Sequence, residues 1–461
     1  MKSLLILILF SFLQSFAQEN PNELSYNEYL GYVKKFHPLV KTANLELSKA
    51  QANLMLARGG FDPKIDVDFT KKEFINTEYY SILNSSFKIP TWYGIEIKAG
   101  FDNNDGVYLN PQNNVPNQGL TSFGITIPLA QGLLINQRMA DLRKAKIQVQ
   151  MSQSERKLQA ILVLYDASLA YFNWKRSFSE MKLYDNYVKN AQIRFKGIKS
   201  LIDEGDKPAI DSIEAGIIVK NRLLSLEDAT MKLLKAKLEL SNFLWLENNI
   251  PLEISETLIP EENLQFTIQE TLRTNELLDA DFSLNNHPKI NVLQSKIEIL
   301  TVEQKLKANM LLPQIDVGYS YLSEPSFIEN YQFENYKVGV NFYFPLFLRK
   351  ERGNLKLAKL KVQETEFALD LEKVQLSNKI EAQKIEIQSL ERQKLLINDL
   401  VRDNLTMLSS EERLFSFGES SIFLINSREN NLVTAQLSAI VLENRFYVSN
   451  SELFRIMANP D

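Results

Sequence analysis

Hydrophobic positions recur along this chain with two periods, and each period returns in a second part of the sequence. Between Met181 and Ile198, apolar residues fall at Met181, Tyr184, Val188, Ala191, Phe195 and Ile198, a 3-4-3-4-3 spacing that lays one narrow stripe on a helix. Farther on, Ile210, Ile217, Leu224, Met231, Leu238 and Trp245 are seven apart, as are Ile425, Leu432, Ala439, Phe446 and Leu453. Such stripes are the seams of coiled-coil packing. Helix breakers are missing over long spans: from Gln137 to Ser200 there is one glycine, Gly197, and no proline, and from Asn354 to Leu414 there is neither. The pattern predicts two helices of roughly 60 residues, about 90 to 95 Å long at 1.5 Å per residue. Each then meets a short turn. Asp203-Glu204-Gly205-Asp206-Lys207-Pro208 supplies a glycine free to take positive φ and a proline suited to a first helical turn. Phe417-Gly418-Glu419-Ser420-Ser421 supplies a glycine followed by hydroxyl caps. Two antiparallel helical hairpins follow, covering about 137–248 and about 350–458.

The segments ahead of the hairpins switch to period two. Ile315, Val317, Tyr319 and Tyr321 alternate with Gln314, Asp316, Gly318 and Ser320, and Val338, Val340, Phe342 and Phe344 alternate with Lys337, Gly339, Asn341 and Tyr343. Earlier, Ile65, Val67 and Phe69 alternate with Asp66, Asp68 and Thr70, and Phe123, Ile125 and Ile127 with Gly124 and Thr126. These runs approach the length of a tilted strand that crosses a bilayer. Ten Tyr or Phe fall in the 29 residues from Tyr319 to Phe347, an enrichment that fits the aromatic girdles of a membrane barrel. A soluble antiparallel sheet with one wet face is the plainer alternative for such strands.

Self-comparison joins the two periods into one repeat. His37-Pro38-Leu39-Val40 returns as His287-Pro288-Lys289-Ile290, and Asp62-Pro63-Lys64-Ile65 as Leu312-Pro313-Gln314-Ile315, both at an offset of 250. Ile127-Pro128-Leu129 matches Phe344-Pro345-Leu346 at 217, and Gly205-Asp206 matches Gly418-Glu419 at 213. The chain is a tandem duplication: residues 18–248 with a β segment at 63–128, a connecting segment at 249–285, and residues 286–461 with a β segment at 313–345. Copy one has the longer middle. Its excess, Ile82 to Phe101 around Pro90-Thr91-Trp92-Tyr93-Gly94, reads as an extra hairpin that adds membrane strands, folds outside the membrane or fills a lumen; four spanning strands per chain is the expectation.

Composition narrows the chemistry. Among 461 residues there is no cysteine and there are two histidines, with a formal charge of -5. Thiolate metal sites, thiol nucleophiles, disulfides and a lipidated cysteine are thereby excluded. An acidic balance argues against nucleic-acid binding, which needs concentrated Lys and Arg. His37 and His287 stand in equivalent places before prolines and read as repeat-boundary residues. Glu411 and Glu412 are adjacent on a helix, point to different faces and make a poor acid/base couple. Trp174 and Trp245 read as packing residues and Trp92 as an interface anchor. Residues 1–17 have the order of a signal peptide: Lys2, an apolar run from Leu4 to Leu13, then a small-residue site cleaved between Ala17 and Gln18. A membrane-entering region of this exported chain would be made of strands.

Repeat order, the His-Pro helix starts, the strand entrances at Pro63 and Pro313, the proline-marked exits Ile127-Pro128-Leu129-Ala130-Gln131-Gly132 and Phe344-Pro345-Leu346-Phe347, and the stretch from Arg194-Phe195-Lys196 to Asp211-Ser212-Ile213-Glu214-Ala215 together resemble the TolC-like outer membrane efflux proteins. The resemblance covers essentially the whole mature chain. It implies a mainly α fold whose coiled-coil hairpins form a trimeric periplasmic barrel, with a 12-stranded outer-membrane β-barrel to which each protomer gives four strands. It places Glu19 to Phe36 and Asn249 to Asn285 near an equatorial girdle. It implies a passive exit duct of a tripartite efflux pump or type I secretion system in the outer membrane of a Gram-negative cell, most of its mass in the periplasm. Implied partners are two further copies of the chain, a periplasmic membrane-fusion adaptor, an inner-membrane transporter of RND, ABC or MFS type, and outer-membrane lipid. No catalysis and no cofactor are implied. Asp203, Glu204, Asp206, Asp211, Glu411 and Glu412 are the candidate acids of the periplasmic aperture, and Gly205, Asp206, Lys207, Gly418, Glu419 and Ser420 the candidate adaptor-contact tips. Three-fold symmetry would turn a lumen-facing acid into a ring of like charges; solvated helix ends are the plainer reading of the same residues. A periplasmic coiled-coil adaptor or spacer, with no channel, is the alternative function.

Overall fold

Two histidine caps start equivalent helices. His37 Nδ1 accepts the N–H of Leu39 at 3.3 Å, and His287 Nδ1 accepts that of Lys289 at 3.1 Å, each just before a proline that occupies the first helical position. The boundary role expected for both residues is thus a hydrogen-bonded one. A computed structural model describes residues 23–255, 257–279, 284–328 and 332–458; the signal-peptide cleavage at Ala17 and Gln18 lies outside them. In chain order the elements are α1 (Tyr26–Phe36), α2 (Pro38–Gly59), β1 (Lys64–Phe74), β2 (Thr77–Pro90), β3 (Glu96–Asp105), β4 (Leu120–Pro128), α3 (Gln137–Asp203), α4 (Ala209–Ser241), α5 (Leu264–Thr271), α6 (Thr274–Asp279), α7 (Pro288–Asn309), β5 (Gln314–Ser323), β6 (Tyr336–Tyr343), α8 (Arg349–Ser416) and α9 (Ile422–Met457). Helices α3 and α8 run 67 and 68 residues without interruption, as the missing breakers predicted. No helix among the described residues is long and apolar enough to cross a membrane.

The chain divides into two compact units. One comprises 44–156 and 284–374 and holds a single antiparallel sheet of order β6-β5-β4-β3-β2-β1. Four spanning strands were expected beside an extra hairpin; the sheet contains six strands, the hairpin among them. The surplus Ile82 to Phe101 neither folds away nor stands alone: it lies within β2 and β3, paired along its length between β1 and β4. The sequence reads this stretch as a hairpin but leaves its place open, because polar residues interrupt its period-two pattern. Ser81 and Ser85 sit on the face that carries Leu83 and Phe87, and Ser85 Oγ satisfies itself by donating to the Phe101 carbonyl at 2.9 Å. The β1–β2 turn is a two-residue turn in which Ile75 and Asn76 both take positive φ, 52° and 53°. At the other end of the sheet, Asn136 ties the β2–β3 turn to the start of α3: its Nδ2 donates to the carbonyls of Trp92 (3.0 Å) and Gly132 (3.2 Å), while its Oδ1 accepts the N–H of Met139 at 2.9 Å. Trp92 anchors this corner, stacked on Phe61 at 5.6 Å and lying under the Arg143 guanidinium. Ile135, Ala140 and Leu306 form a small buried core beneath it, and Gly132 N–H donates to Asn309 Oδ1 at 2.9 Å.

The other unit comprises the described residues up to Ala43, with 157–283 and 375–458. Its centre is aromatic: Tyr26 and Tyr29 of α1 pack on Tyr171 of α3, and Phe172 meets Tyr447 of α9. These tyrosine hydroxyls have partners, Tyr26 with Ser168, Tyr29 with the Ala167 carbonyl and Tyr171 with the Leu24 carbonyl at 2.6 Å. Burial pushes the Tyr26 and Tyr171 hydroxyls well above their usual range, so they remain donors. Trp174 is fully buried in the same cluster, a packing residue as expected. Glu23–Leu24 pairs in parallel with Ile259–Pro260, joining the start of the described chain to the connecting segment.

The apolar stripes of the helices divide. Val188, Ala191 and Ile198 of α3 and Ile425, Leu432, Phe446 and Leu453 of α9 are buried, as their spacing predicted. The seven-residue stripe of α4 is not: Ile210, Ile217, Leu224, Met231 and Leu238 are all exposed. The face that α4 buries is Ala215, Arg222, Ala229 and Ala236, also seven apart. Small side chains let the neighbouring helices close in, and the bulky stripe is left facing outward.

Candidate functional site

The sheet sorts most of its side chains by face. One hydrogen-bonded row runs Ile65, Phe87, Ala99, Phe123, Tyr321, Tyr336 across all six strands. A second runs Ile89, Ile97, Ile125, Tyr319, Val338, and a third Ile127, Val317, Val340. The opposite face reads Lys64, Lys88, Lys98, Gly124, Ser320, Lys337 in one row and Asp66, Ser86, Gly100, Ser122, Leu322 in the next. Four of the six residues in the first of these rows are lysines; were the sheet in a bilayer, a lysine on the lipid side at mid-membrane would cost about 2 to 4 kcal/mol. Glycines on this face make room for neighbouring serines. A Cβ on Gly124 would stand 2.2 Å from Ser320 Oγ, and one on Gly100 2.7 Å from Ser122 Oγ. A sheet with one apolar and one polar face suits a wall between lipid and water. Both edge strands, β1 and β6, are exposed along their whole length.

The two hairpin turns are built alike. Gly205 and Gly418 take φ of 86° and 81°. At each, the following residue closes a six-to-one bond, Asp206 N–H to the Leu201 carbonyl at 2.8 Å and Glu419 N–H to the Leu414 carbonyl at 3.0 Å. This is the Schellman stop that a glycine after a long helix predicts. Ser421 then caps α9 by accepting the N–H of Leu424. Within one chain the turns touch: Ile198, Ala215 and Ile422 form a buried cluster with Phe195, Ile202 and Phe415 against it, and Lys207 Nζ lies 4.8 Å above the Phe415 ring.

The candidate aperture acids fall into two groups. Asp203, Glu204 and Asp206 are exposed at the first turn and Asp211 is half-buried in the first turn of α4. Glu411 is buried, held by Ser420 Oγ at 2.5 Å and by Arg428 Nε at 3.4 Å, and Glu412 pairs with Arg194 at 3.2 Å. Of the tip residues, Gly205, Gly418 and Glu419 are exposed, Ser420 is half-buried and bonded to Glu411, and Lys207 leans on Phe415.

Behind the turns lies a charge cluster that the sequence reading missed. Glu429 of α9 is 1% exposed and accepts from Arg194 of α3 at 3.1 Å and Arg222 of α4 at 3.4 Å. Arg194 reaches on to Glu412 of α8, so the cluster ties together all four long helices. Arg222 also donates to Asn430 Oδ1 at 2.6 Å and packs its guanidinium on the Tyr187 ring. Burial, with the nearby Glu429 charge, pushes the Tyr187 hydroxyl up to about 12, and it donates to Gln436. The sequence did carry a signal. Glu429 falls between Ile425 and Leu432 at a 4-3 spacing, a carboxylate inside an apolar seam, and Arg222 sits in line with Ala215 and Ala229. A charge at a seam position is buried only when paired.

Among the described residues no cluster of three or more His, Cys, Asp or Glu could hold a metal. The fold is similar to that of solved outer-membrane channels of the TolC-like type. The chain is similar to the CmeC outer membrane channel of Campylobacter jejuni, with 13% identity, a TM-score of 0.64, and coverage of 94% of this chain and 85% of that one. It is similar to the open-state MtrE outer membrane channel of Neisseria gonorrhoeae at 12% identity and a TM-score of 0.66, over 94% and 89% of the two chains. The outer membrane protein VceC of Vibrio cholerae matches at 12% identity and 0.65, over 94% and 96%. At such identities the likeness is one of fold. Sequence comparison matches no family profile and no curated protein.

Proposed function

We propose that this protein is a passive exit duct in the outer membrane, the last component of a tripartite efflux or type I secretion assembly. The observation that carries the reading is the sheet, apolar on one face and lined with Lys64, Lys88, Lys98 and Lys337 on the other, with both edges open. Three copies complete the wall, the apolar face against lipid and the polar face toward a water-filled lumen. The exposed heptad stripe of α4, Ile210 to Leu238, packs against a neighbouring copy. The paired turns around Gly205 and Gly418 dock an adaptor, which connects the duct to an inner-membrane transporter. Exposed Asp203, Glu204 and Asp206 form the acidic ring at the aperture, where they concentrate cations and repel anions. Energy comes from the transporter, and the duct does no chemistry.

The test is fractionation followed by planar-bilayer recording. A duct stays with outer membranes until detergent is added and conducts as a trimer, and Asp206→Asn shifts its reversal potential away from cation preference. Extraction by buffer alone, with no conductance, would move the protein to the spacer class.

A further inference from the structure

Three copies of a six-stranded sheet do not fit a barrel of twelve strands. Resting on the duct reading above, we infer that the membrane barrel of this protein has eighteen strands, six from each of three copies, closed by antiparallel pairing of β1 of one copy with β6 of the next.

The extra hairpin cannot leave the wall. Among the described residues β1 pairs with β2 alone, so lifting β2 and β3 out of the bilayer would remove β1 with them. Both added strands also obey the wall's sorting: Leu83, Phe87, Ile97 and Phe101 continue the apolar face, and Asn84, Lys88, Lys98 and Asp102 the polar one.

The edges are fitted to each other. Every strand in the sheet is antiparallel to its neighbour, and six is even, so β1 and β6 run in opposite directions and a second copy can extend the ladder without a break. The partner is another copy of this chain because each edge supplies what the other lacks: a fully exposed strand of matching period and opposite direction. Facing fixes the parity of the register. Apolar positions are odd-numbered on β1 (Ile65, Val67, Phe69) and even-numbered on β6 (Val338, Val340, Phe342). Placing Val67 opposite Val340 sets Ile65 against Phe342 and Phe69 against Val338, and lays all of β6 along β1. A slip of one residue would put Asp66 against Val340 and mix the faces. With strands about 4.8 Å apart and tilted about 40°, eighteen of them make a barrel about 36 Å across between backbones, against about 24 Å for twelve.

The chain's lack of cysteine makes the test clean. Val67→Cys with Val340→Cys is expressed in cells, outer membranes are oxidised, and non-reducing gels are read for a covalent trimer. Ile127→Cys with Val317→Cys, opposite each other within one chain, controls for oxidation. Separately, single Cys variants at Phe87 and Lys88 are labelled with a charged, membrane-impermeant maleimide after outer-membrane reconstitution. The inference expects a covalent trimer from the 67–340 pair and at least tenfold faster labelling at 88 than at 87. A trimer that persists on native gels without the 67–340 bond, while the control pair oxidises, overturns the seam and leaves the duct standing. Equal labelling at 87 and 88 removes β2 and β3 from the wall and overturns the strand count. A 67–340 bond formed only within single chains overturns the trimer as well.

Discussion

Replacing Glu429 by Gln tests whether the buried charge cluster holds the two helical hairpins together. The carboxylate is 1% exposed, and the side chains of Arg194 and Arg222 are 16% and 11% exposed, so solvent screens this group little. Arg194 Nη1 and Arg222 Nε already lack hydrogen-bond partners within the protein, so the cluster has no spare acceptor to take over. Removing one member of a buried pair strands the other charges, at a cost of about 3 to 5 kcal/mol; Gln keeps the shape and one acceptor, which puts the expected loss near the lower end, about 3 kcal/mol. At 1.4 kcal/mol per decade, that is about a 150-fold rise in local opening. Hydrogen exchange read on peptides covering 190–225 and 405–435 should show the loss confined to those segments. The sharper control is the double variant Glu429→Met with Arg222→Met. Replacing charge by apolar volume on both sides should recover most of the protection, because burying an ion pair and burying a hydrophobic pair are nearly equal in free energy. If Glu429→Gln leaves exchange unchanged, or if the double variant is as open as the single one, the cluster is not what links the hairpins.

Gly94 combines a φ of 78° with contacts that would place a Cβ 2.9 Å from the Gly132 carbonyl oxygen; Gly94→Ala should lower stability in urea by at least about 2 kcal/mol, while Gly205→Ala, also left-handed but in open space, should cost only about 1 kcal/mol. Leu224→Asp changes a residue exposed in the single chain; helix content by circular dichroism should stay within error while the proposed trimer is lost on native gels, and a surviving trimer would show that the α4 stripe does not hold it together. His37 must be neutral for Nδ1 to accept the Leu39 N–H, and burial lowers its folded pKa below the ordinary 6.5. Its contribution is therefore full above about pH 6.5 and lost as pH falls through the folded value; His37→Asn, a cap that does not titrate, should flatten that part of the thermal stability profile.

The sequence determined what is local. Missing breakers made α3 and α8 continuous, glycines stopped them, His-Pro pairs capped equivalent helices, and period-two runs marked β1, β4, β5 and β6. Each of these depends on residues a few positions apart, so one chain read in order carries the information. Tertiary structure decided three other things. It placed β2 and β3 between β1 and β4: the sequence marks a hairpin there, but with Ser81 and Ser85 on its apolar face the pattern does not say which strands it joins until Phe101 and its other neighbours are beside it. It chose between two heptad stripes on α4 and buried the alanines around Arg222, since a seven-residue period announces a seam but not which helix will close on it. Finally, it brought Arg194, Arg222, Glu412 and Glu429 together from four helices. A charge in an apolar seam states that a partner is required; only the packing of distant segments supplies one.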